Sequence, residues 1–160
     1  MKRRQNGFSL IELLIVVAII LIIAAIAIPN LLRARIQANE ASAVASLHSI
    51  TTSEVTYSTA YPTVGFSADL PTLGDGGATP CPGTSVAACL IDTNLAGGTK
   101  SGYVFTYVVD SSTTPSVAYT VNADPVTRGT SGQRSFYASA ANLIRWNPSV
   151  AATSADAPLQ

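Results

Sequence analysis

Glu12 is the residue whose chemistry most needs a partner. It is a carboxylate set near the start of the apolar run GFSLIELLIVVAII, Gly7 to Ile20. In a membrane-spanning segment such a charge costs roughly 2.5–3.5 kcal/mol at mid-bilayer and less near the edge. If the chain is cut between Gly7 and Phe8, the basic tail of Lys2, Arg3 and Arg4 is removed and a positive α-amino group appears at Phe8. Phe8 and Glu12 are four residues apart, neighbours on one helix face, so the acid meets a cation in its own chain or in a packed copy. In a low-dielectric setting two such ions attract far more strongly than in water, which offsets the penalty of placing them there. The chemistry is that of assembly, not of catalysis.

The other reactive residue types do not form a catalytic set. His48, the single histidine, is placed beside Leu47 on a helix with no acid or nucleophile motif around it, so a surface or packing role fits better. Ser9, inside the apolar stretch, fits a bond to its own backbone or close helix packing. Cys81 and Cys89 enclose seven residues, and in an exported chain a disulfide is the default, contributing about 2–3 kcal/mol for so short a loop. Two cysteines and one distant histidine do not complete a zinc site. Tyr103, Phe105, Tyr107, Tyr119, Phe136, Tyr137 and Trp146 are read as core packing rather than a ligand platform. Arg128, Arg134 and Arg145, among nearby acids, are read as a solvated face.

The elements that must position these residues follow from composition and period. Only 11% of the 160 residues are charged, and formal net charge is zero. Beyond Gly7 six basic residues face nine acidic ones, a net of −3, so no nucleic acid partner is expected. Sixteen apolar residues run unbroken from Leu13 to Ile28, and with Phe8, Leu10 and Ile11 the stretch is long enough to cross a bilayer core of about 30 Å. Lys2, Arg3 and Arg4 keep the N-terminus cytoplasmic, so that the chain after Asn30 lies on the far side. Two plainer readings compete for this segment. One is a secretory signal with Ala25-Ile26-Ala27 as its cleavage site, the other a simple anchor. Neither accounts for Glu12.

After Asn30 the pattern becomes one-sided, with Leu32, Ile36, Val44, Leu47, Ile50 and Val55 predicting an amphipathic helix over residues 31–55. A Gly-, Pro-, Ser- and Thr-rich loop covers 56–101. From Gly102 the period falls to two. GYVFTYVVD and SVAYTVNA form a hairpin, and RSFYASA and LIRWN supply a third and a fourth strand within 102–147. The tail, 148–160, is expected to be extended or loosely held.

Lys-Arg-Arg followed by Gly7, Phe8, Ser9, Leu10, Ile11, Glu12, Leu13 and Leu14 closely resembles the type III signal of bacterial type IV pilins and pseudopilins. The resemblance implies a prepilin peptidase that cuts after Gly7 and methylates the new amine of Phe8, and gives Glu12 the role of guiding subunits into register. It implies a helix break at Pro29, where proline also removes a backbone donor. The implied fold is α+β, a long N-terminal helix whose C-terminal half packs on a four-stranded antiparallel sheet. Residues 1–7 are then a cleaved leader, 8–30 the transmembrane and filament-core half of the helix, and 31–160 a periplasmic or extracellular head.

The implied partners are copies of the chain itself, the prepilin peptidase, an inner-membrane assembly platform, and the lipid bilayer before assembly. No enzymatic activity and no cofactor are expected. A pseudopilin would often carry calcium in its C-terminal loops, but Asp69, Asp75, Asp92, Asp110 and Asp124 lack the compact spacing that calcium needs. The alternatives to a pilus subunit in the inner membrane and then outside the cell are a major pseudopilin of a type II secretion system and a membrane-anchored or secreted binding domain.

Overall fold

The computed structural model describes residues 9–77 and 80–159. The chain divides into two compact units, Met1–Arg35 and Ile36–Gln160, taken in turn below. Helix α1, Leu10–Ala60, supplies residues to both.

In the first unit α1 is apolar all round. Its first backbone bond runs from the Leu13 amide to the Ser9 carbonyl at 3.2 Å. The expected break at Pro29 is absent, because the helix continues through that residue. Proline removes one amide donor at a cost of about 3 kcal/mol in a helix interior. Leu, Ala and Arg on the two sides are strong helix formers that favour continuing the turn.

In the second unit the helix buries Glu40, Ala43, Leu47, Ile50, Glu54 and Tyr57, a stripe of alternating three- and four-residue steps. Val55, expected on that face, is 57% exposed, and Leu32 is exposed in the first unit. The helix also outlasts its expected end at Val55 and stops at Ala60. Tyr61 precedes Pro62, and a residue before proline is pushed out of the helical region.

The sheet has five strands rather than four, in the order β1 Thr99–Lys100, β2 Tyr103–Val109, β3 Tyr119–Pro125, β4 Ser135–Ser139 and β5 Arg145–Asn147. All neighbours are antiparallel. The added strand is a two-residue edge turned by Ser101 and Gly102 with φ of 50° and 74°, the paired positive values of a tight hairpin turn. Tyr103, Phe105, Tyr119, Val121, Ala123, Phe136 and Ala138 point alternately inward and meet the helix stripe in one core. The 56–101 segment is not only loop, since α2 Leu70–Leu73 and α3 Thr93–Ala96 lie within it.

The tail is not loose. The Trp146 amide donates to the Ala157 carbonyl at 3.1 Å and the Leu159 amide to the Ile144 carbonyl at 2.8 Å, so the tail covers the outer edge of β5. Asn122 donates to the Ala152 carbonyl at 2.6 Å, and Ala152 is buried.

Candidate functional site

The cleavage position expected at Gly7 and Phe8 lies outside the described residues. Glu12 is placed in the first turn of α1, where its carboxylate accepts the Ser9 amide at 2.9 Å. This is one half of a capping box, in which an acid three residues into a helix satisfies the amide of the cap residue. The carboxylate also lies against the positive end of the helix dipole. The Ser9-x-x-Glu12 spacing is the sequence signal for this cap, beside the backbone bonding or packing expected of Ser9.

Beyond Glu12 the apolar surface is continuous around the helix axis. Leu13, Ile15, Ile19, Ile22 and Ile26 are each more than half exposed, which leaves no face of this segment satisfied by its own unit. An apolar patch of more than a few hundred Å² on a single chain marks an interaction surface. Among the described residues one helix, α1, is long and apolar enough to cross a membrane.

The head holds two buried acids that sequence reasoning missed. Glu40 accepts the Gln133 amide at 2.9 Å, the Arg134 amide at 3.0 Å and the Arg134 Nε at 2.7 Å. Burial pushes the Glu40 carboxyl up, but the two amides and the guanidinium outweigh it and hold the group below its usual range. Arg134 in turn lies over the rings of Phe136 and Trp146, at 5.5 and 5.4 Å from their centroids. Helix, β4 and β5 are thereby joined through one side chain.

Glu54 is fully buried and accepts both the amide and the hydroxyl of Ser67, with no cation among its hydrogen-bond partners in the described residues. Tyr107 donates to the Ser67 carbonyl at 3.1 Å, and burial, opposed by the Ser67 bond and reinforced by Glu54, pushes its phenol well up. The signal for both acids was their position on the 40, 43, 47, 50, 54, 57 stripe. Both glutamates share that stripe with Ala43, Leu47, Ile50 and Tyr57 and are buried with them.

The remaining candidates fall into structural roles. Cys81 and Cys89 are bonded to each other. The loop they close is tied to α1 by Tyr57, which donates to the Ser85 carbonyl at 2.6 Å, and to the chain just past α1 by Tyr61, which donates to the Gly83 carbonyl at 2.9 Å. His48 is exposed on α1. Asp69 and Asp92 cap α2 and α3, and Asp110 accepts the Ser112 amide at 2.9 Å in a turn. Among the described residues no three His, Cys, Asp or Glu side chains gather as a metal site would require.

The three arginines are not simply a solvated face. Arg128 donates to the Gln133 carbonyl and to Ser135, Arg134 pairs with Glu40, and Arg145 donates to the Asp156 carbonyl at 2.6 Å. Six of the seven aromatic residues pack in or against the core as expected, whereas Tyr137 is half-buried on the other face of β4 and stands outside it. Tyr103, Phe105, Tyr119 and Phe136 are core, with Tyr107 stacked on Tyr119 at 5.5 Å between centroids.

Residues 2–28 match the model of the prokaryotic N-terminal methylation motif. The chain is 59% identical over 46 residues to the type IV wide pilus major component PilA4 of Thermus thermophilus, a match covering 29% of this chain and 35% of that protein. It is 44% identical over 54 residues to the type IV major pilin protein PilA of Myxococcus xanthus, covering 34% of this chain and 24% of that one. The matches thus span about a third or less of the relatives' lengths. No solved structure matches with comparable significance. Together these findings support the type IV pilin family for this N-terminus, the one that its residues resemble.

Proposed function

We propose, from an N-terminus shared with type IV pilins, that this chain is the structural subunit of a type IV pilus. It is made with a leader that a prepilin peptidase removes after Gly7, methylating the amine of Phe8. It waits in the inner membrane with its N-terminus cytoplasmic and its head beyond the bilayer. An assembly platform then moves it into a helical polymer of its own copies, where neighbouring apolar segments cover one another. The role is mechanical, and this reading needs neither catalysis nor a cofactor.

One observation carries the proposal: the exposed apolar start of α1, with Glu12 in its first turn, falls in the methylation motif of residues 2–28. A carboxylate already turned back to the Ser9 amide is turned toward the chain start, where trimming creates its counter-charge. That the two relatives are named as pilus components favours a pilus over a secretion pseudopilus.

Glu12→Gln is the informative variant, because the amide oxygen can still accept from Ser9 while the charge is gone. The subunit is expected to accumulate in the membrane, trimmed, and to yield at least tenfold less sheared polymer than wild type. Wild-type amounts of polymer would leave capping as the whole role of the acid. Intact mass of the sheared material tests the leader: a chain starting at Phe8 with one added methyl is expected, and one starting at Met1 or Ile28 sinks the reading.

A further inference from the structure

Arg33 and Arg35 stand apart from every other cation described. Lys100, Arg128, Arg134 and Arg145 each donate to an acid, a carbonyl or a hydroxyl of the head. Arg33 and Arg35 are exposed and make no hydrogen bond or ion pair among the described residues. No acidic residue lies between Leu13 and Asn39, so α1 offers them no nearby partner of its own.

Their position is set by the apolar run before them. From Leu13 to Leu32 there are twenty residues, all aliphatic except Pro29 and Asn30. At about 1.5 Å per residue these make about 30 Å of helix, the thickness of a bilayer's hydrocarbon core. Arg33 is the next residue. With Leu13–Leu32 in the core, both arginines lie within about 5 Å of its far boundary, inside the headgroup layer. Two residues apart on a helix, they project about 200° from each other, to opposite sides. A protein partner approaching one side would reach only one of them. A ligand that surrounds the helix reaches both, and at this depth that ligand is the layer of lipid phosphates. Guanidinium binds phosphate through paired hydrogen bonds. Cations on the translocated side also oppose the bias that keeps Lys2, Arg3 and Arg4 inside, so they carry a cost that a binding role explains.

We propose that Arg33 and Arg35 form a collar for the phospholipid phosphates of the far leaflet, fixing the depth at which the subunit waits before assembly. The inference rests on reading α1 as a membrane span. Full-length chain with 15N-labelled arginine, in vesicles of phosphatidylglycerol and phosphatidylethanolamine, tests it by solid-state NMR recoupling of guanidinium nitrogen to lipid 31P. Single variants Arg33→Gln and Arg35→Gln assign the two signals by their loss. Dephasing by 31P is expected at both and not at Arg134, the internal control in the head. If the protein resists carbonate extraction yet neither arginine dephases, the collar is wrong and the span reading stands. If carbonate extracts the chain, the span reading falls and the collar with it. Coupling to carboxylate 13C of another labelled copy, in place of 31P, would assign these cations to a protein contact and overturn the proposal.

Discussion

At the scale of single residues the molecule uses its three glutamates in two ways: Glu12 at an exposed helix start, Glu40 and Glu54 inside the head. Glu40 gives a pH-dependent prediction whose sign follows from its lowered folded-state value. A carboxyl lowered by folding contributes stability that is present above its unfolded value of about 4.3 and fades as pH falls through the folded one. Glu40→Gln keeps an acceptor for the Gln133 and Arg134 amides but loses the ion pair. Because Arg134 is 39% exposed, that pair merits a discounted figure of about 1–2 kcal/mol at pH 7. Urea midpoints at pH 7, 4 and 3 should show the gap between wild type and variant shrinking with acidity. A gap that stays constant would mean that the charge on Glu40 is not what the amides and Arg134 hold. Glu12 was legible in the sequence because a charge stands out in an apolar run. Glu40 and Glu54 were not, since a glutamate among Asn39, Ala41, Thr52 and Val55 looks like solvated helix until its partners from distant loops are known.

At the scale of elements, residues with a strict period were legible. The two-residue alternation of GYVFTYVVD places Tyr103 and Phe105 inside and Val104 and Val108 outside, as the sequence predicts. What escaped had too little length to show a period, as in β1, or was decided by packing between distant segments, as in the tail bound along β5. The end of α1 was recoverable from Tyr61-Pro62. The β3–β4 connection shows how tightly such elements are set. A Cβ on Gly132 would overlap the hydroxyl and ring of Tyr103, which is fully buried and anchored by donating to the Arg134 carbonyl at 2.8 Å. Gly132→Ala is expected to cost about 2–3 kcal/mol by overpacking. Gly129→Ala, nearby in the same connection with φ of +85° and open space around it, should cost about 1 kcal/mol through backbone strain alone. Thermal melts of the two variants check the ranking, and equal losses would show that Tyr103 yields to the added methyl.

At the scale of the whole molecule, two units with opposite relations to water share one chain. The core of the head runs from Ala43 through Ile144, and the disulfide and both buried acids also belong to Ile36–Gln160. Among the described residues the first unit has apolar surface on all sides and no buried core. Folding of the head should therefore be independent of the segment proposed to anchor and assemble it. A fragment of residues 36–160, exported to an oxidising compartment, is expected to be a soluble monomer with cooperative melting within a few degrees of the head in detergent-held full chain. Full chain stripped of detergent and lipid should leave the monomer state, because nothing else then covers Leu10–Leu32. Sedimentation of both samples separates the outcomes. An unfolded fragment would mean that the apolar segment is needed to build the head. A full chain that stayed monomeric in plain buffer would mean that the segment finds cover within its own chain, and so is not the surface through which copies join.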